Sequence, residues 1–86
     1  MYETINQACR DGDVALVQSL IQDGFDVTCN DNYPVQLASL HGNLAIIKLL
    51  IEHGADVTSN DNRALIWASE NGQYDVVNYL IDVCDL

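Results

Sequence analysis

The chain repeats itself every thirty residues, and this internal repeat limits the fold more than any other feature of the sequence. Small, apolar and glycine residues recur at the same offset. The aligned positions are Ala8, Ala38 and Ala68; Gly12, Gly42 and Gly72; Val17, Ile47 and Val77; and Leu20, Leu50 and Leu80. Self-similarity at such a period is typical of stacked repeats rather than of a fold with one central core. We therefore expect one domain of three units, at about residues 1–30, 31–60 and 61–86.

The central unit shows what each repeat is expected to form. After the turn signal at Gly42, apolar residues follow at helical spacing as far as Gly54, which stands where a helix can end in a left-handed residue. Pro34 is predicted to open the preceding helix, where its missing N–H costs no hydrogen bond, with Asn32 or Tyr33 as the cap. Each unit is thus predicted to be two helices joined by a turn, and the fold class to be all-α.

Acidity narrows the choice of partner. Thirteen Asp and Glu residues against three Lys and Arg give a formal charge of −10. Such a charge repels nucleic-acid phosphates and anionic lipids, and it favours a protein partner with a basic surface. The simpler alternative is that the acidic exterior only keeps the chain in solution. No run reaches the ~18 apolar residues of a membrane span, and the polar start at residues 1–4 is not typical of a signal peptide.

The sequence predicts no metal site, cofactor or catalytic residue. Cys9, Cys29 and Cys84 form no CxxC pair, so neither a disulfide framework nor a zinc site is indicated, and a reducing cytoplasmic compartment is expected. Neither histidine lies in an HExxH motif, and no phosphate loop or serine elbow is present. The stretch 30–32 lacks the glycine and glutamate of a calcium loop. Asp56 is expected to bond nearby backbone N–H groups rather than to act as a base.

Several motifs together resemble ankyrin repeats over nearly the whole chain. They are Gly54-Ala55-Asp56-Val57, Ala38-Ser39 before Gly42, Ala68-Ser69 before Gly72, and the run Ile47, Leu49, Leu50 and Ile51. The resemblance implies a helical solenoid that binds another protein through its concave face, with no catalysis and no cofactor. Ankyrin units usually span about 33 residues. The shorter units here predict short, hairpin-like loops and are similar to ankyrin repeats of giant DNA viruses that infect amoebae, which would place the chain in the host cytoplasm.

Ankyrin domains contact their partners with the loop tips and the ends of the inner helices. Tyr33 and Leu40 are expected to contribute most, because an amphipathic aromatic and an exposed apolar residue on a rigid support provide contact area at low entropic cost. For the asparagines, plain turn chemistry is the alternative. The positions that the resemblance assigns to partner binding are Asn32, Tyr33, Asn62 and Arg63 at the tips, and Arg10, Leu40, His41, Glu70 and Asn71 at the helix ends.

Two other functions are carried as alternatives. Ile66, Trp67 and Tyr74 lie on the last unit, so they are either partly buried against the second unit or form a face that pairs with another copy, giving a homodimer. The chain could instead be an acidic decoy that inhibits a nucleic-acid-binding protein of the host. A decoy predicts binding that is lost as salt rises, whereas apolar anchors are less sensitive to salt.

Overall fold

A computed structural model describes residues 2–84, and within that range the chain forms helices and no strand. The elements are α1 (Tyr2–Asp11), α2 (Val14–Gln22), α3 (Cys29–Leu40), α4 (Leu44–Glu52), α5 (Ser59–Glu70) and α6 (Tyr74–Cys84). We call α1, α3 and α5 the inner helices and the other three the outer helices. Residues 85 and 86, at the end of the third predicted unit, lie outside the described residues. The all-α prediction is confirmed.

Each helix pair buries its apolar stripe against the next pair. In α4, the spacing of Ile46, Ile47 and Leu50 places these side chains on one face, and all three are fully buried. The middle pair is the most enclosed, because α3 contacts both α1 and α5 and residues 34–39 of α3 are all buried. A unit of this kind cannot cover its apolar face alone, so the stack stabilises each of its members. The result is an elongated body of 33 × 21 × 18 Å.

Glycine lies just after the ends of α2 and α4, as the sequence predicts. Gly54 has φ 101°, its N–H donates to the Ile51 carbonyl, and the Ala55 N–H donates to the Leu50 carbonyl at 3.0 Å. These bonds satisfy carbonyls that the helix itself leaves unpaired. They require a residue with positive φ, which glycine adopts at no steric cost because it has no β-carbon.

The first turn of α3 and of α5 is left-handed, and it takes the place of a hairpin-like loop where one pair follows another. Asn30, Asp31 and Asn32 all have positive φ, between 52° and 65°, and the Asn32 N–H donates to the Thr28 carbonyl at 3.0 Å. Residues 60–62 repeat the same conformation. Asn and Asp tolerate this region better than other residues with a side chain. A single left-handed turn therefore precedes the right-handed part of each of these inner helices.

Amide side chains connect each pair to the one before it. Asn43 Nδ2 donates to the carbonyls of Cys9 and Arg10, and Gln73 Nε2 donates to the Leu40 carbonyl at 3.1 Å. The acceptors lie in the last turn of α1 and α3, where backbone carbonyls have no partner within their own helix. Asp13 occupies the equivalent position of the first pair, where its carboxylate has no N–H to donate and accepts from the Leu16 N–H instead.

Removing the Leu50 side chain should leave the protein largely unfolded. Leu50 is fully buried at the centre of the stack, and a buried Leu→Ala change costs roughly 2–5 kcal/mol. That loss is comparable with the total stability of a small domain, at the lower end of roughly 5–15 kcal/mol. A thermal melt of Leu50→Ala followed by circular dichroism tests this, with the exposed Gln18→Ala as control. A melting temperature within a few degrees of the parent would contradict the packing.

Gly42→Ala should destabilise the protein more than Gly54→Ala. Both glycines have positive φ, which costs an alanine roughly 1–2 kcal/mol. A β-carbon at Gly42 would also clash with the Gln73 carboxamide, whereas nothing lies within 4 Å at Gly54. Moving Gln73 away breaks its bond to α3, a further ~0.5–1.5 kcal/mol. Urea titration of both variants measures the difference, and equal losses would show that the amide bond contributes nothing.

Candidate functional site

The predicted partner-binding residues fall into two rows on the inner helices. The tip row, Asn32, Tyr33, Asn62 and Arg63, lies at the left-handed turns, and the end row, Arg10, Leu40, His41, Glu70 and Asn71, lies where the inner helices end. Seven residues separate Tyr33 from Leu40, which corresponds to about 10 Å along a helix. Neighbouring inner helices are packed side by side, so the two rows frame one surface.

An Asp–Thr pair holds each left-handed turn. Asp56 Oδ1 accepts from the Thr58 N–H at 2.9 Å and from the Thr58 hydroxyl at 2.6 Å. Asp26 makes the same two bonds to Thr28, with the same lengths. These bonds favour the ionised carboxylate, so the Thr28 and Thr58 donors lower the pKa of Asp26 and Asp56, respectively, below the usual value. Asp56 therefore bonds the nearby backbone as predicted.

Asn32 has a structural bond that the sequence did not indicate. Its Oδ1 accepts from the Asp56 N–H at 2.9 Å, so its side chain is tied to the segment that leads into α5 and does not cap α3. The Ser59 hydroxyl donates to the Asp31 carbonyl across the same junction, at 3.0 Å. The prediction of Asn32 as a helix cap is wrong, because the left-handed turn directs its carboxamide toward the next pair.

Tyr33 and Trp67 form an aromatic pair across the second and third units. Their ring centroids are 6.1 Å apart and the planes are 85° from parallel, which is an edge-to-face contact. Both side chains are half-buried. The sequence predicts Tyr33 as a partner-binding residue and Trp67 as a self-association residue. The structure brings the two rings together, and the exposed Arg63 lies one helical turn before Trp67 on α5.

The end row presents a different side chain from each unit. Arg10, Leu40 and Glu70 occupy equivalent positions in the three units. The row therefore has a positive charge on the first unit, an apolar side chain on the second and a negative charge on the third. Arg10 and Glu70 are exposed, as is His41, whereas Leu40 is half-buried and packs against the core. The sequence predicts an exposed Leu40, but the side chain is half-buried in the structure, because the central pair has neighbours on both sides. Asn71 is exposed, and its Nδ2 donates to the Trp67 carbonyl at 2.8 Å.

The predicted self-association residues separate into two environments. Ile66 is 38% exposed and Tyr74 is 73% exposed, whereas Trp67 is half-buried against Tyr33. Ile81, also on the third pair, is 37% exposed. The structure thus assigns Trp67 to the junction between units and leaves Ile66 and Tyr74 exposed on the third pair.

Titratable groups within residues 2–84 do not converge on a reactive centre. Burial raises the pKa of the Cys9 thiol to about 12, with a smaller contribution from Cys29, so this thiol is protonated at neutral pH and is a poor nucleophile. No three His, Cys, Asp or Glu side chains in the described part of the chain are grouped so that they could bind a metal ion.

Comparison with known families agrees with the arrangement of helix pairs. A family model described as ankyrin repeats in three copies matches residues 5–86. The chain belongs to the ankyrin repeat family. A search of curated proteins finds no relative that matches this ankyrin repeat chain.

Membership of the ankyrin family explains the architecture and the general function. Ankyrin repeats are protein–protein interaction modules, and the family is typically non-catalytic. The helices found between residues 2 and 84 are too short, or too polar, to cross a bilayer.

The two Asp–Thr pairs should be visible in an acid titration. Because the pKa of Asp26 and Asp56 is lower in the folded state, their ionised forms stabilise the fold above the usual pKa of 3.8, and this contribution is lost as the pH falls through the lowered values. Carboxyl ¹³C chemical shifts should give both aspartates midpoints below 3.8. In Thr58→Val the Asp56 midpoint should rise while that of Asp26 stays unchanged. A midpoint for Asp56 that Thr58→Val leaves unmoved would contradict the assignment.

Proposed function

We propose that this chain binds a partner protein through the concave surface framed by the tip row and the end row. The aromatic pair of Tyr33 and Trp67 carries the proposal. It offers two partly exposed rings, and each ring is held by the other, so little side-chain entropy is lost when a partner covers them. Tyrosine, tryptophan and arginine are also the residues most enriched among side chains that dominate interface energies, and Arg63 lies on α5 one helical turn before Trp67.

The end row supplies a direction for the partner. Arg10, Leu40 and Glu70 lie on three successive inner helices, and packed helices are about 8–10 Å apart. A partner that extends along this row would place an acidic group near Arg10, an apolar group on Leu40 and a basic group near Glu70. The net charge of −10 adds a general attraction for a partner with a basic surface, which raises the association rate more than the affinity.

A pull-down with matched variants tests this proposal. The parent protein and a Tyr33→Ala, Leu40→Glu variant serve as baits in a eukaryotic lysate, and captured proteins are identified by mass spectrometry. A Tyr74→Ala, Ile66→Glu variant makes the same kinds of change at exposed positions of the third pair, away from the two rows. We expect a protein that the parent and the Tyr74 variant both capture and the Tyr33 variant does not. If the folded Tyr33 variant captures every protein that the parent captures, the concave surface is not the binding site for those proteins.

Two further measurements keep the outcome interpretable. Thermal melts show which baits are folded, and Arg10→Glu, at an exposed position, perturbs the end row without removing buried apolar surface. Arg10→Glu should weaken capture. Washing at about 0.5 M salt, where the Debye length falls to a few ångströms, should leave apolar anchoring largely intact. Complete loss of the partner in that wash would favour an acidic decoy over anchoring by Tyr33 and Leu40.

A further inference from the structure

Side chains of the three inner helices form a grid of three columns on the concave surface. Residues spaced four and then three apart lie on one side of a helix, and α3 packs against both α1 and α5. Each inner helix therefore supplies one column of the grid. The columns are Glu3, Gln7 and Arg10 on α1; Tyr33, Leu37 and Leu40 on α3; and Arg63, Trp67 and Glu70 on α5. We call these positions the concave grid.

The four corners of the concave grid carry charges of alternating sign. The negative corners, Glu3 and Glu70, lie on one diagonal. The positive corners, Arg10 and Arg63, lie on the other diagonal and supply two of the three Lys and Arg residues of the chain. All four side chains are exposed. The corner charges therefore balance one another, although the protein as a whole has a formal charge of −10.

The column between the charged corners is apolar. Tyr33 and Leu40 are half-buried, and Leu37 is 3% exposed. Trp67 extends this apolar area toward α5, because its ring meets that of Tyr33 edge to face. A molecule that covers the grid thus removes apolar surface from water at the centre and meets charges at the rim. Specific protein interfaces have the same layout of an apolar core inside a polar rim.

The charge pattern of the concave grid is complementary to itself. Its corners form a rectangle of about 10 Å along the helices and about 16–20 Å across them. Two copies that meet face to face share a two-fold axis, and an axis along either side maps the rectangle onto itself. An axis along α3 places Glu3 of one copy over Arg63 of the other. An axis across the helices places Glu3 over Arg10. In both arrangements every positive corner meets a negative corner.

The net charge of each copy opposes this contact over a longer distance. At about 0.15 M salt the Debye length is about 8 Å, so repulsion between remote acidic residues is largely screened, whereas charges in direct contact are screened less. The grid is also smaller than the ~800 Å² per partner of a standard interface. We therefore expect a weak dimer that is populated at protein concentrations of about 0.1–1 mM.

We propose that the concave grid binds a second copy of this chain face to face, with each positive corner over a negative corner and the apolar columns in contact. The dimer covers the surface that the proposed function assigns to a partner, so a partner has to displace the second copy. This regulatory role rests on the proposed function. The self-association itself does not, because it is measured on the purified protein alone.

Two charge variants test the contact through its symmetry. Glu3→Arg with Glu70→Arg gives an all-positive variant, and Arg10→Glu with Arg63→Glu gives an all-negative variant. Neither can pair its corners with another copy of itself, whereas a mixture of the two can. A third variant that carries all four changes reverses every sign, keeps the formal charge of −10 and remains complementary to itself. All four positions are exposed, and thermal melts check that each variant is folded.

NMR spectra of ¹⁵N-labelled protein across a dilution series from about 1 mM to about 0.05 mM measure the dimer. The single tryptophan gives one indole N–H signal, and Trp67 lies within the grid. This signal should shift with concentration in the parent and in the reversed variant. In either double variant the dissociation constant should rise at least about tenfold, because four ion pairs become four repulsions. Adding the unlabelled all-negative variant to the labelled all-positive variant should restore the shift.

The comparison of the two double variants excludes an effect of net charge. The all-positive variant repels itself less overall than the parent does, so an effect of net charge would strengthen its association. The proposal is overturned if the parent signal does not depend on concentration up to about 1 mM, or if mixing the double variants restores no shift. It is also overturned if both double variants associate as strongly as the parent.

Tyr74→Ala with Ile66→Glu provides the control for association through the third pair. This variant should form the dimer as the parent does. Loss of the dimer in this variant, with retention in both charge variants, would assign self-association to the exposed apolar residues of the third pair instead. The two proposals fail separately, since partner capture is measured in a lysate and self-association on purified protein.

Discussion

The stability of every helix pair in this protein depends on the pair beside it. Ile46, Ile47 and Leu50 of α4 are fully buried, and α4 contacts both α3 of its own pair and α2 of the pair before it. A short chain buries a modest share of its surface in any case, and a stack of three units is near the lower limit for such an architecture. The free energy of unfolding is therefore a sum of small contributions from the interfaces between neighbouring pairs. Each amide hydrogen bond or buried leucine at such an interface supplies a large share of that total.

Much of this arrangement follows from the sequence by alignment of the repeat with itself. The positions of Ala38, Gly42 and Leu50 predicted an inner helix, a turn and a buried outer helix, and all three predictions agree with the structure. The left-handed turns were harder to anticipate. The Asn and Asp residues at positions 30–32 indicated a turn, but nothing local required three successive residues to adopt positive φ.

Side-chain partners across junctions were the least predictable feature. Asn32 bonds to Asp56, and Tyr33 meets Trp67, because two units are stacked with one particular displacement. That displacement is a property of the whole stack and is not encoded in either residue alone. A signal was nevertheless present, since Tyr33 and Trp67 are separated by one repeat plus one helical turn. Alignment of the third unit with the second places Trp67 at the position of Leu37, one helical turn after Tyr33 and on the same side of the helix.

The left-handed turns restrict how this surface can diversify. Residues other than glycine, asparagine and aspartate are strained in the left-handed region. Positions 30–32 and 60–62 therefore accept only a few residue types. Related chains that keep these turns can change their recognition specificity only at positions such as Tyr33, Leu40 and Arg63, which have ordinary backbone conformations. Recognition would then vary at the right-handed residues of the inner helices and not at the left-handed residues that precede them.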